Sequence, residues 1–561
     1  MKLNVRLLPK NRHELYSSPP DLIAGAIWNQ SRFLSGQEMA DLFADTTTVS
    51  DATRLCSGLI GRFCWVRILP DTVWLAVDHL QSLPLYYALD GDNVLIGTIP
   101  GKIADAMDNK QIDPLLAAEY LVLGYVTGKE TLMENIREVE PGTLVEIRRS
   151  HDNDALHAKI HQYKEYVHTY QNASRDQLTH DLDDIVLQTM KRAVEYADGR
   201  PIILPLSGGY DSRLIALSLS RLHCTDVHCI SYGTKNSAEM KLSHQIAEKL
   251  GFSWTGVTYT SDNWQRWFHS NKRRDYYRQA SREARIPNIQ EFVAFGELTG
   301  HGNIPSEGIV LGGHVGGVLV GDKGVYDHYT YRENPETRAE TILQHIFHYH
   351  YYLWDWSEYN EQIGPWFRER ILNSIGDLRR YPDSPRACEM WNLRQRQPRF
   401  IVAATRVYEF FGLDHLLPFC DQDYMRFWQT VPLAFRHDKG LYTDYIERLS
   451  PFSIKTHQPE KPVLKLRETI RNTPIFRPAQ SLYQKWNKRR KLKNEYSRHP
   501  MAWYGIIEPE VFHSLFTGRE NINSFQSLEL LRTLTENGYL MPDMILSQAA
   551  TILSGKQSIS L

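Results

Sequence analysis

The run Leu206-Ser207-Gly208-Gly209-Tyr210-Asp211-Ser212-Arg213 combines the side chains and the backbone freedom that binding a phosphate requires. Two adjacent glycines let the main chain approach an anion, Ser207 and Ser212 offer hydroxyl donors, and Asp211 is a ligand for Mg2+. The run follows the apolar stretch Pro201 to Leu206 and precedes the helical pattern Arg213 to Leu222, so its amides would converge at a helix N-terminus. It lacks the Gly-Lys-Ser/Thr ending of a Walker A loop. A plain strand-to-helix turn also uses glycines, but the complete Ser-Gly-Gly-x-Asp-Ser string in this setting favours phosphate.

The elements that must hold this loop are legible on both sides of it. Leu178, Leu182, Ile185, Val186, Met190 and Ala193 recur at helical spacing from Arg175 onward. After the loop comes a strand at Val227 to Tyr232, then a helix from Ser237 to Leu250 stopped by Gly251. Strands alternating with helices at this spacing predict an α/β fold with a parallel sheet. Residues 1 to about 150 read differently. Phe63 to Ile68, Val73 to Val77 and Asn93 to Gly97 are short strands between turns, and Asp113-Pro114 opens a helix running to Leu123. Glu140 to Thr143 is a turn before a strand at Leu144 to Ile147, and the polar stretch Arg148 to Asp154 is the first candidate boundary. From about Thr337 the chain is largely helical and rich in Tyr, Trp and His.

Composition excludes several classes. Across 561 residues, 64 Lys and Arg balance 66 Asp and Glu, which argues against a strongly electropositive nucleic-acid binder. Six cysteines, none in a CxxC pair, are too dilute for a disulfide scaffold or a cysteine metal site. The first twenty residues lack the apolar run of a signal peptide, and the longest apolar stretch, Ile309 to Val320, is short and glycine-rich, so a cytoplasmic location without a membrane span is expected.

Ser207 to Ser212 resembles the pyrophosphate loop of the ATP pyrophosphatase group, which includes asparagine synthetases, β-lactam synthetases, GMP synthetases and several tRNA-modifying enzymes. Val73 to Asp78 and Pro84-Leu85-Tyr86-Tyr87 are similar to the "RD…G..PLYY" segment of class II glutamine amidotransferase domains, and Tyr125 to Gly142 to that domain's closing stretch. Phe411-Gly412 through Leu417-Pro418-Phe419-Cys420-Asp421 resembles the "G…R.PFLD" segment of asparagine synthetases. Over roughly residues 20 to 465 the resemblance is to asparagine-synthetase-like proteins, closest in appearance to those of bacterial surface-polysaccharide clusters. It implies an N-terminal amidotransferase-like (Ntn-type) α/β sandwich over residues 1–155, an ATP-binding synthetase domain of the adenine nucleotide alpha hydrolase type over 170–475, and a helical C-terminal extension over 476–561.

The resemblance also implies roles. Phosphate would be held by Ser207, Gly208, Gly209 and Ser212, with Gly312 and Gly313 of a second loop also on the nucleotide. Adenine would meet the backbone near Leu206 and at Ser231, Tyr232 and Gly233, and Mg2+ would sit on Asp211. The sequence then departs from the family in three places. A class II glutaminase uses a cysteine at residue 2, where this sequence has Lys2, so glutamine hydrolysis is not expected and the amine must come from elsewhere. In Leu311-Gly312-Gly313-His314-Val315-Gly316-Gly317, His314 falls where asparagine synthetases carry a glutamate and Gly317 where they carry a metal-binding aspartate. His314 is then either a structural histidine or part of the site, and Asp322 is close enough to replace the missing carboxylate. The family's charge-neutralising lysine has two candidates, Lys455 and Lys461.

Two weaker signals have a plain reading beside the functional one. The basic run Lys485 to Lys493 is either a solvated face or a patch for a polyanion, and His348 to Trp356 is either helix packing or a groove lining. The expected activity is ATP- and Mg2+-dependent amide formation through an acyl-adenylate, on a sugar or other small-molecule carboxylate with a separate amine donor. A natural-product amide cyclase and a catalytically silent scaffold are the alternatives.

Overall fold

The computed structural model describes residues 4–8, 16–150, 155–321, 337–357, 360–450 and 520–536, with 509, 512, 516 and 538. The first part of the chain builds two stacked sheets. One is antiparallel, in the order Leu156–Gln162, Thr143–Arg149, Thr72–Val77, Ile60–Ile68, Asp21–Asn29, Tyr16–Ser18, with Arg32–Ser35 also on Asp21–Asn29. The other has four strands, in the order Asn4–Leu8, Asn93–Gly97, Tyr86–Asp90, Arg137–Glu138.

Alternation along the strands explains the layering, because successive side chains point to opposite faces. Cys64 and Val66, with Val73, Leu75 and Val77, pack against Tyr87, Val94 and Ile96 of the second sheet. Their neighbours Phe63, Trp65, Trp74 and Ala76 face the other way, onto Met39, Phe43 and Ala52 of the helices Gly36–Ala44 and Val49–Gly58. On the outer face of the second sheet the helix Pro114–Leu123 begins where the sequence places it, with Asp113 Oδ1 accepting from the amides of Leu115 and Leu116.

One buried ion pair locks the antiparallel sheet. Arg67 donates from Nε to Asp21 Oδ1 at 2.7 Å and from Nη2 to Asp21 Oδ2 at 2.8 Å, and Trp65 Nε1 donates to the same carboxylate at 2.7 Å. The boundary expected at residue 155 falls inside a hairpin, because Leu156–Gln162 pairs antiparallel with Thr143–Arg149 and extends this sheet to Gln162. The polar stretch 148–154 misled because loop composition marks a hairpin turn as readily as a domain boundary.

The second part centres on a five-stranded sheet, all parallel, ordered Ser253–Tyr259, Val227–Thr234, Ile202–Pro205, Ile309–Leu311, Asp414–Leu416. The helix Arg175–Ala197 covers it with the face read from the sequence, burying Leu178, Leu182, Val186, Met190 and Ala193, with Ile185 half-buried. Ser237 caps the helix Ala238–Leu250, which ends with Gly251 in the left-handed conformation. The helical region beyond Thr337 includes Arg338–Tyr349, Asn360–Ile375 and Ser384–Trp391. Of the expected C-terminal extension the described helix is Ile522–Glu536; Trp354 Nε1 donates to Ser524 O at 3.0 Å and Arg273 meets Glu529 at 2.8 Å. The basic run 485–493 lies outside the described residues. Among those described, no helix is long and apolar enough to cross a membrane.

The two parts dock through charge as well as apolar contact. Asp414, at the start of the fifth parallel strand, accepts from Arg62 of the first part at 2.6 Å and from Arg200 and Tyr196 of the second at 2.9 and 2.8 Å. Despite its burial, those donors hold the Asp414 carboxyl well below the usual range. Replacing Asp21 strands the Arg67 guanidinium inside the first part, so Asp21→Ala is expected to lower the unfolding free energy by about 3–5 kcal/mol, measured by urea denaturation.

Candidate functional site

Strand order decides where a ligand can sit. Ile202–Pro205 is the first strand of the parallel sheet in the chain and lies at its centre, with the next two on one side and the last two on the other. The connections therefore diverge between Ile202–Pro205 and Ile309–Leu311, leaving a crevice at their carboxyl ends. Two glycine-rich loops enter that crevice, Ser207 to Gly209 from the first strand and Gly312 to Gly317 from the fourth.

The first loop is shaped by its own hydroxyls. Ser207 N donates to Ser212 Oγ at 3.0 Å, the two serine hydroxyls are 3.0 Å apart, and Gly209 N donates to Ser207 Oγ at 3.1 Å. The helix Tyr210–Arg221 starts immediately, so the amides of its first turn and its positive end face the crevice. Arg213, buried beneath, donates to Gly208 O at 3.0 Å and stacks 5.1 Å from the Tyr210 ring.

Asp211 is the convergence point. Tyr442 Oη donates to its Oδ1 at 2.7 Å and the Gly317 amide donates to it, with Lys439 adding positive field. Burial outweighs these contributions and raises its pKa above the ordinary 3.8. A Cβ on Gly316 would stand 3.0 Å from Asp211 Cγ, and one on Gly317 would stand 3.5 Å from Lys439 Nζ and 3.7 Å from Asp211 Oδ2. The second loop therefore needs glycine at 316 to lie against the carboxylate, while the contacts at 317 are ordinary ones. Val315, just before, has φ of 72°, a left-handed conformation that a β-branched residue rarely adopts.

Lys439 was not among the sequence candidates. It follows Asp438 in a turn where both residues have positive φ, and Arg436 anchors that turn. Arg436 Nε donates to Leu319 O at 3.0 Å, its guanidinium pairs with buried Glu389, and Glu389 also meets His168. The lysine's segment is thus tied to the loop it faces. Lys455, Lys461 and Asp322 lie outside the described residues.

His314 is half-buried in the second loop, where desolvation lowers its pKa and keeps it neutral, opposed by Glu291 and Asp211. Its ring is 6.5 Å from Tyr408. Glu291, near the start of the helix Ile289–Gly300, accepts from Tyr232 Oη at 3.0 Å. Tyr232 also stacks on Tyr259, 5.6 Å away, so its side chain is committed to the core. Gly233 lies beside Ser237, Ser231 is buried, and Leu206 N is held by Ile230 O at 2.8 Å. Gly312 and Gly313 lie against His314 and Asp211. Asp421, by contrast, is structural: it caps the helix Gln422–Thr430 and pairs with Arg192.

Residues 182–270 match the asparagine synthase family. The matched span contains the Ser207 to Arg213 loop and Ser231 to Gly233, and stops short of the second loop and Lys439. No curated protein matches the chain. Similar solved structures include the allosteric regulatory enzyme of purine biosynthesis, 10% identical over 44% of this chain and 62% of that one, TM-score 0.18. Another is glutamine phosphoribosylpyrophosphate amidotransferase from B. subtilis complexed with ADP and GMP, 12% identical over 59% and 70%, TM-score 0.18. The chain thus spans less than two thirds of the first of these, and neither likeness bears on the reaction.

The donor set fits a nucleotide whose phosphates bring their own cation. Among the described residues no group of three or more His, Cys, Asp or Glu is placed to hold a metal ion. Asp211 is the carboxylate available in the crevice, and one carboxylate with phosphate oxygens and water suffices for Mg2+. Because the Asp211 pKa is raised in the fold, its ionisation opposes folding as pH rises past 3.8, fully so above the raised value. Asp211→Asn keeps the acceptor for Tyr442 without that charge. It is expected to stabilise the protein by about 1 kcal/mol at pH 7, the gain fading as pH falls toward 4, read from thermal unfolding across pH.

Proposed function

We propose that this protein forms amide bonds at the expense of ATP, through an acyl-adenylate, on the carboxylate of a sugar acid or similar biosynthetic intermediate. The observation that carries the reading is the Ser-Gly-Gly-x-Asp-Ser loop at the sheet's switch point, with Asp211 and Lys439 facing each other across Gly317. The family match over this loop supports it.

In the first step a carboxylate oxygen attacks the α-phosphorus of ATP and the bond to pyrophosphate breaks. The loop amides and the helix N-terminus hold the phosphates, and bound Mg2+ on Asp211 would neutralise charge on the departing pyrophosphate. In the second step an amine nitrogen attacks the acyl carbon, loses a proton, and AMP leaves with the former carboxylate oxygen. Lys439 is placed to stabilise negative charge as each bond breaks, the role the resemblance would give to Lys455 or Lys461.

Glutamine is not the proposed source of the amine. The first part's cysteines, Cys56 and Cys64, are buried in its cores, and burial pushes the Cys56 thiol far above its ordinary value, which removes the thiolate a glutaminase needs. Free ammonia or a substrate amine takes its place. An amine within the same substrate would make the enzyme a cyclase.

The full-length protein with ATP, Mg2+, uronic acids and ammonium is expected to release pyrophosphate and AMP in equal amounts, with glutamine ineffective as the amine source. Lys439→Ala is expected to lower kcat by about 10²–10³ while leaving ATP affinity unchanged by calorimetry. If ATP does not bind, the silent scaffold is the better reading.

A further inference from the structure

Pro398 sits inside a helical run, where an α-helix would lose a hydrogen bond and clash with the preceding turn. Asn392–Ile401 instead winds as a π-helix ten residues long. Two side-chain bonds span the same five-residue step: Gln397 Nε2 donates to Asn392 Oδ1 at 2.8 Å, and Arg399 Nη1 donates to Arg394 O at 2.8 Å. One face is fastened to the first part of the chain, with Gly128 N donating to Gln395 Oε1 at 2.8 Å and Arg399 donating to Gly128 O. The opposite face, bearing Asn392, Arg396 and Gln397, walls a cavity of about 350 Å3.

That cavity opens onto the candidate site, since Gly317 and Lys439 line its other side. His345 and His350 complete a polar wall, and among the described residues no carboxylate lines it. His350 is buried, and burial, with Arg396 and His345 nearby, holds it neutral. Among the described residues the fixed positive charges are therefore Lys439 at the nucleotide side and Arg396 on the π-helix. The Arg396 guanidinium lies 4.7 Å over the Phe400 ring and beside the Tyr125 hydroxyl, neither of which neutralises a cation as an anion does. A cavity of this size is at the small end of ligand sites and suits a molecule as large as a single sugar.

We propose that the cavity binds an acid carrying a second anionic group, which Arg396 takes while Lys439 attends the carboxylate to be activated. The inference rests on the adenylation reading and adds to it the charge of the substrate. The second anion can be a carboxylate or a phosphate, both of which match the guanidinium fork. Asn392 and Gln397 would meet the uncharged hydroxyls between the two ends.

The test uses the full-length protein and a matched pair of probes, glucarate and gluconate, which share a six-carbon chain and differ in whether the far end is a carboxylate. Calorimetry with ATP and Mg2+ present is expected to show glucarate binding about ten- to hundredfold more tightly than gluconate. Arg396→Gln should remove the difference and leave ATP affinity unchanged; Arg396→Lys should restore part of it. Glucuronate 1-phosphate against glucuronate repeats the comparison with phosphate as the second anion. Equal affinity for the members of both pairs in the wild type, with ATP still bound, overturns the inference. Failure of the wild type to bind ATP overturns the adenylation reading instead.

Discussion

A carboxylate withdrawn from water has to be compensated by whatever surrounds it, and at Asp211 the compensation comes from two distant stretches of chain. The Gly317 amide on one side and the Tyr442 hydroxyl with the field of Lys439 on the other reach the same group. The position of Asp211 is therefore coupled to the packing of the fourth strand's loop and of the helix Gly440–Leu449. Burial still leaves its pKa raised, so the site carries destabilisation that a bound cation would relieve. The glycine at 316, the strained Val315 and the anchoring of Arg436 to Leu319 all serve to bring backbone against that one side chain.

The local parts of this arrangement were legible in the sequence. Asp113 and Ser237 cap helices as their residue types require, and the amphipathic face from Leu178 to Ala193 is the buried one. The loop that opens at Ser207 lies between strand and helix in a parallel sheet, as the pattern predicted, with the helix beginning at Tyr210, three residues before the expected Arg213. Lys439 was not legible. It lies more than two hundred residues from Asp211, in a charged His-Asp-Lys run that reads as a solvated turn. Only the tie of Arg436 to Leu319 and Glu389 brings it inward, and that contact has no local signature. Glu291 escaped notice for the same reason: a single acid at a helix start is ordinary until its partners Tyr232 and His314 are in place. The aromatic run from His348 to Trp356 divides its work, Tyr351 and Trp354 packing in the core while Tyr349 and His350 line the cavity.

The two parts of the chain are joined so that the first supports the second. Arg62 on a strand of the first part reaches Asp414, which begins the last strand of the parallel sheet. Gly128 of the first part holds the π-helix through both its amide and its carbonyl. Glu138 is paired with Arg285, fixing a segment of the second part against a strand of the first. The sandwich, whose cysteines are buried, therefore has a mechanical task, since the wall of the cavity is fastened to it.

The π-helix changes the way this wall could vary among descendants of the chain. A π turn holds one residue more than an α turn, so deleting a single residue between Asn392 and Ile401 would relax the segment toward an α-helix and rotate every side chain beyond the deletion. A deletion ahead of Arg396 would then move Arg396 and Gln397 off the wall together, not one at a time. An in-frame loss of one codon can reshape this wall without any substitution in the nucleotide loop.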